Sequence, residues 1–285
     1  MGYFTLSVET PRGDSITLSQ NTNKYSLVNV EGLAPPTAAI NVAVNANFDG
    51  STYTSSRMNE RNIVIQFAIE GNVEENRIAL YKVFRPKAPV RVRYKNNHRN
   101  VYIDGYVESF ECNFFDEKEV AQISILCPYP YFSDENNLDF DFSTIRPLFE
   151  FPFDIDEDGI PFSTIVLGQE KNIINSGDIE TGMLIRFTAV GGCTNPTIYN
   201  TVTNEKIKVN ISMSAGNVLE INTNRGKKSV RLTSSGTTTN VINYLDKTSR
   251  WLQLEVGDNL FMTEATSGGE NLLCNVIYDN LFGGV

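Results

Sequence analysis

In the first half of the chain, apolar residues recur at every second position. Phe4, Leu6 and Val8 alternate with polar partners, as do Val42 and Val44, and then Ile63, Ile65, Phe67 and Ile69 in NIVIQFAIE. A period of two puts alternate side chains on opposite faces of a strand, so these segments read as half-buried strands. Gly32-Leu33-Ala34-Pro35-Pro36 interrupts them. Two prolines fix φ and remove two backbone donors, which suits an extended connector and not a central strand. After Gly71-Asn72 the period lengthens: Val73, Arg77, Leu80, Tyr81 and Phe84 fall at helical spacing. Asn72 stands at the N-cap, Glu74 and Glu75 occupy the first turn where the helix dipole favours them, and Pro86 stops the run. The pattern predicts one amphipathic helix of about three turns. Strands return with Val90, Val92 and Tyr94, then Val101, Ile103, Gly105 and Val107, joined by a turn at Lys95-Asn96-Asn97-His98. VAQISILCP closes the half at Pro128.

Residues 129–162 keep no period. They hold nine acidic residues between Asp134 and Asp158, with aromatics interspersed. The stretch reads as a linker or arm anchored by Phe140, Phe142, Phe149, Phe151 and Phe153. From Ile165 onward short apolar runs alternate with Gly, Asn and Ser clusters: MLIRFTAV, TIYN, EKIKVNI, NVLEINT, KKSVRLTS, NVINYL, RWLQLEVG, NLFMTEA and NLLCNVIYDNLF. Such spacing predicts a β-sandwich of jelly-roll type, and the lack of a fixed repeat disfavours a solenoid or propeller. The chain therefore divides into an N-terminal β-domain with one helix (1–133), an acidic, aromatic linker or arm (134–162) and a C-terminal sandwich (163–285). Its class is mainly β.

Composition narrows the function. With 285 residues, 41% hydrophobic and 20% charged, the chain can bury two cores and is not disordered. Its 34 acidic and 24 basic residues leave a net charge of −10, which disfavours tight neutralisation of nucleic-acid phosphates. The imbalance is local: residues 1–133 carry 14 acidic and 13 basic (−1), and 134–285 carry 20 and 11 (−9). The start, MGYFTLSVETPRGDS, has no basic, apolar or small-residue leader pattern. No apolar stretch approaches the roughly 20 residues that cross a bilayer, so no membrane partner is expected. Cys112, Cys127, Cys193 and Cys274 are too dispersed for a zinc site or disulfide framework. Reduced, mostly buried thiols are expected, in a protein made and assembled in a reducing cytoplasm.

Candidate chemistry is sparse. His98, the one histidine, falls in a turn between Asn97 and Arg99, a poor place for a base that needs an orienting partner. Asp154-Ile155-Asp156-Glu157-Asp158-Gly159 opens like a calcium loop, but position twelve is Ile165 and no helix flanks it. A solvated acidic turn is the expectation. Paired carboxylates cannot be singled out among 34 acids, and GGC at 191–193 and SGGE at 267–270 match no phosphate-binding loop. No enzyme and no cofactor are indicated. The basic cluster Arg85, Lys87, Arg91, Arg93, Lys95 and Arg99 reads either as a solvated strand face or as a contact surface for another subunit or an acidic partner. The lone Trp251 in RWLQLEVG points away from Leu252, Leu254 and Val256. There it packs at an interface or under a loop, or stacks on a sugar, the alternative being a carbohydrate-binding module for cell-surface recognition.

Several segments in order resemble the distal tail protein family of phages with long, non-contractile tails. They are YSLVNVEGLAPPTAAIN, LYKVFRPKAPVRVRYKNNHRNVYIDGYVESFE and QISILCPYPYF in the first half. NIINSGDIETGMLIRF, NPTIYN, LEINTNRGKKSVRL, YLDKTSRWLQLEVGDN and the final GGV follow in the second. The resemblance spans nearly the whole chain. It implies an N-terminal domain that assembles into a homohexameric ring and a galectin-like C-terminal sandwich outside it. It also implies a place at the virion tail tip, between the tail tube protein and the tail hub or tail-associated lysin, with receptor-binding or baseplate proteins docked and DNA only passing through. A ring that lets DNA through is expected to have a neutral or acidic bore. The helix at 73–84 and the strands after it are expected to bear the subunit contacts.

Overall fold

In the computed structural model, residues 4–20, 24–47, 49–113, 119–136, 138–142, 144–147, 163–166 and 170–285 are described, with backbone alone at 144–147 and 163–166. The chain forms two compact units, Met1–Glu135 together with Leu281–Val285, and Asn136–Asn280. The first unit is therefore discontinuous in sequence: the chain leaves it, builds the second, and returns for its last five residues. The sequence reading had assigned those residues to the sandwich.

The strands of the first unit are β1 (Thr5–Glu9), β2 (Ser15–Leu18), β3 (Tyr25–Glu31), β4 (Ala38–Val44), β5 (Ser51–Met58) and β6 (Arg61–Ile69). After helix α1 (Val73–Val83) come β7 (Pro89–Lys95), β8 (Asn100–Cys112), β9 (Val120–Cys127) and β10 (Phe132–Asp134). The main sheet runs β2-β1-β7-β8-β9-β6-β3, with β10 on β8 and a return strand, Leu281–Phe282, on β10. A single bridge, Ser19 to Ser26, brings the outer strands β2 and β3 together, so the sheet curls round its core. Alternation places the inward row: Leu6 and Val8 on β1, Ile63, Ile65, Phe67 and Ile69 on β6, and Val92 and Tyr94 on β7 are all buried. Helix α1 turns Leu80 and Val83 onto this core, with Phe84 just beyond its end. The helical spacing holds, but two details differ from expectation. Tyr81 stays exposed, edge-on to Phe110 at 5.4 Å. Asn72 makes no side-chain capping bond; its amide donates instead to Glu75 Oε2 at 2.7 Å.

The second unit stacks two antiparallel sheets. One runs Leu138–Asp141, Leu272–Tyr278, Met183–Ala189, Val218–Asn222, Ser229–Ser234 and Thr237–Asn240. The other runs Lys171–Asn175, Gly257–Glu264, Thr197–Asn200 and Lys206–Lys208. Their inner rows, among them Ile185, Phe187, Leu219, Ile221, Phe261 and Val276, form one core. Phe142 is also buried there, so part of the acidic stretch belongs to the sandwich. Phe149, Phe151, Phe153 and the calcium-like segment Asp154–Gly159 lie outside the described residues. Two expected strands are absent. In NVINYL, Asn240 Oδ1 accepts the Ile242 N–H at 3.0 Å and the chain turns into a short 3₁₀ helix, Ile242–Tyr244. RWLQLEVG keeps only one bridge, Leu254 to Thr181, and Val256, expected inside, is exposed. Asn259 draws that loop in by taking the Glu255 N–H at 2.9 Å.

Candidate assembly surfaces of the first unit

β4 and β5 form a two-stranded sheet of their own, outside the main one. Direct pairing puts Ala38 beside Met58, Ile40 beside Ser56, Val42 beside Tyr53 and Val44 beside Ser51, with a bulge after Asn41. Paired residues share a face. One face of the ribbon is thus apolar, and it is exposed: Ile40 65%, Val42 52%, Val44 86% and Tyr53 62%. Val42 and Val44 read from sequence as half-buried, and the structure corrects this. The alternation is real, but among the described residues of the unit no layer covers the face. Arg57 is the one charge within the two strands, and their outer edges pair with no described strand. Charge and proline are the usual protections of an edge strand, and they are nearly missing here.

The basic cluster separates into three groups. Arg91 and Arg93 share the outward face of β7, opposite buried Val92 and Tyr94, as the alternation requires. Both spend their charge inside the unit. Arg91 pairs side-on with Asp104 directly across on β8, at 2.7 and 3.0 Å, and lies 3.9 Å from the Tyr102 ring centroid. These contacts, the Asp104 hydrogen bond first, hold its pKa above the ordinary arginine value. Arg93 bridges Glu9 and Glu135. The two arginines line a groove of about 600 Å³ walled by Pro11, Pro89 and Pro128, with Tyr106 and Tyr129 half-exposed. Arg85, Lys87 and Lys95 are exposed. Lys87 adopts φ 70°, a left-handed turn held by its N–H on Val107 O at 2.8 Å. Arg99 points elsewhere, over the Phe282 ring at 4.2 Å and onto Gly284 O at 3.1 Å.

His98 is exposed in its turn, where Asn96 Oδ1 accepts the N–H groups of His98 and Arg99. Burial pushes the Cys127 thiol up to about 12 and raises Cys274 as well, so neither is a thiolate near neutrality. Trp251 is half-buried against the sandwich core, and the Lys228 ammonium sits 5.4 Å from its ring centroid. Among the described residues no helix is long and apolar enough to cross a membrane.

One residue escaped the sequence reading. Arg61 opens β6, is 2% exposed, and lies in phase with buried Ile63, Ile65 and Phe67. That phase was the available signal: an arginine on an apolar row. Its guanidinium donates to four carbonyls, Pro130 O at 2.8 Å, Ala34 O at 2.7 Å, Gly32 O and Gly283 O, and stacks 4.6 Å from the Phe132 ring centroid.

Comparison with known proteins finds two family models in succession. Residues 12–127 match a phage tail protein RIFT-related domain, and residues 176–282 match the C-terminal domain of a siphovirus-type tail component. No curated protein sequence matches. Among solved structures, the Dit protein (gp 19.1) of phage SPP1 aligns over 98% of this chain and 99% of its own, with a TM-score of 0.68 and 14% identity. That protein is described as a paradigm of the hub adsorption apparatus in phages infecting Gram-positive hosts. A chain of the phage P2 baseplate, in its activated conformation with calcium, aligns over 98% of both chains, with a TM-score of 0.52 and 12% identity. At such identities these likenesses concern the fold.

Proposed function

The chain belongs to the siphovirus-type tail component family, and from that premise we propose that its copies close into a hexameric ring at the distal end of a phage tail. In this reading the ring joins the tail tube to the tail hub or tail-associated lysin and carries receptor-binding or baseplate proteins. DNA passes through its lumen without being held, and the protein makes and breaks no covalent bond. Copies fold in the host cytoplasm and are built into the virion there.

The observation that carries this reading is the uncovered ribbon β4–β5. An isolated two-stranded ribbon is marginal in water, and this one presents a contiguous apolar face with two open edges. A head-to-tail contact, in which the ribbon of one copy lies on a different surface of the next, generates a ring when its rotation closes. Arg85, Lys87 and Lys95 keep exposed charge and are the part of the basic cluster left for an acidic partner. Sugar binding through Trp251 draws little support, since Lys228 and the core already occupy the ring.

The test is the mass of the purified full chain by sedimentation and native mass spectrometry. The wild-type chain is expected as a hexamer. Ile40→Lys with Val42→Lys is expected to give a monomer with an unchanged far-ultraviolet spectrum, since both side chains are already in water. A double variant that keeps the wild-type mass removes the ribbon from the interface.

A further inference from the structure

The last five residues do more than end a sandwich. Phe282 pairs with Phe132 and Leu281 with Ser133, which makes the return strand the neighbour of β10. Beyond it, the Val285 N–H donates to Leu33 O at 3.2 Å. Gly284 fits so closely that an added Cβ would meet Pro35 Cδ at 2.9 Å and Leu33 O at 3.1 Å. Besides β10, Arg99 and Arg61, this segment therefore meets the connector Gly32–Pro36, the stretch that leads into β4.

Arg61 ties the same place from the other side. It follows β5 almost directly, and its guanidinium holds Gly32 O and Ala34 O ahead of β4 together with Gly283 O of the return segment. Both ends of the ribbon thus meet at one buried cation whose acceptors include the return segment. A buried guanidinium is tolerated only when its donors are matched, and an orphaned charged donor costs more than a lost neutral hydrogen bond. Without residues 281–285, Arg61 loses one acceptor, Phe132 loses its strand partner, and Leu33 and Pro35 lose the contacts of Val285 and Gly284.

We propose that residues Leu281–Val285 are a latch that sets the base of the β4–β5 ribbon. The ribbon is held in its assembly direction only in chains whose return segment has docked. Because the whole of Asn136–Asn280 precedes that segment, the second unit is made before the ribbon is set, and chains interrupted within it present an unlatched ribbon. The consequence for ring formation rests on the proposed function above; the latch itself does not.

The experiment is hydrogen exchange by mass spectrometry on the full-length chain, comparing wild type with Gly284→Val and Arg99→Gln. In both variants the peptides covering 281–285, 32–37 and 38–58 are expected to exchange about tenfold faster or more, while 183–189 and 272–278 keep wild-type protection. Fast exchange at 281–285 with wild-type protection at 32–58 overturns the latch. So does an equal loss in both units, which would report general unfolding, and so does a Gly284→Val chain that exchanges like wild type throughout. Exchange is read whatever the oligomeric state. A wild-type chain that stays monomeric while these shifts occur therefore removes the ring and leaves the latch standing.

Discussion

At the scale of single residues, many polar side chains complete the backbone of turns. Asp246 is the clearest case. Its carboxylate accepts from Asn210 Nδ2 at 3.0 Å, from the Thr248 N–H at 2.9 Å and from the Thr248 hydroxyl at 2.7 Å. The Asn210 bond is the leading cause, and together they hold this carboxyl well below the usual carboxylate range. A depressed carboxylate stabilises the fold above its unfolded value of about 4 and loses that contribution as pH falls through the folded value. Asp246→Asn is therefore expected to lower the thermal midpoint of the second unit at pH 7, with the gap to wild type closing in the acid range. Thermal scans at the two pH values check it, and a gap that widens on acidification would contradict the assignment. Arg61 follows the same logic with carbonyls in place of donors. Its charge is matched by backbone, and burial lowers its pKa through desolvation.

Among elements, β7 and β8 show why a basic stripe in sequence need not be a free surface. Antiparallel register places Arg91 directly opposite Asp104, and Arg93 reaches Glu9 on the other flanking strand. Charge reversal at Arg91 would first set two carboxylates face to face, before it could report on any subunit contact. Arg91→Glu is expected to cost the first unit about 0.5–1 kcal/mol, the scale of an exposed cross-strand pair. Urea unfolding would show it, and Arg91→Glu with Asp104→Arg should recover most of the loss. An effect on mass without an effect on stability would restore Arg91 to the interface. The ribbon β4–β5 is the opposite case. Its apolar side chains are largely exposed within their own unit, so lysines there are expected to leave stability nearly untouched, and under the proposed ring to weaken self-association.

At the scale of the whole molecule, two cores separate the consequences of mutation. Phe187 is fully buried in the core of the second unit. Phe187→Ala is expected to destabilise the second unit by about 3–5 kcal/mol. Scanning calorimetry should show one of two transitions shifted and the other in place, since units with separate cores need not unfold together. A single transition that moves as a whole would mean that the units fold as one. The uneven charge of the two halves has a matching logic: the near-neutral unit carries the uncovered apolar ribbon, where strong self-repulsion would oppose close packing of copies.

What the sequence determined by itself was everything that depends on local period and turn chemistry. Alternation at Leu6, Val8 and Ile63–Ile69 placed strands and their inner rows, the spacing Val73–Phe84 placed the helix, and Asn96 placed its turn. These follow from backbone geometry, which repeats every two or every 3.6 residues wherever the chain lies. Tertiary structure decided which alternating face receives a covering layer. Val42 and Val44 alternate as well as Ile63 and Ile65 do, yet only the second pair meets a core. It also decided that Asn240 and Asn259 would draw two apolar runs out of strand geometry, that Arg91 and Arg93 would be neutralised from neighbouring strands, and that Arg61 would find four carbonyls. It decided as well that the final residues would come back to the first unit. The Asn240 and Asn259 contacts are local, two and four residues apart, but they overrode the alternation only where the fold left those runs without a full strand partner. The others depend on partners far apart in sequence, and a linear pattern carries the demand for burial or pairing without saying which distant segment meets it.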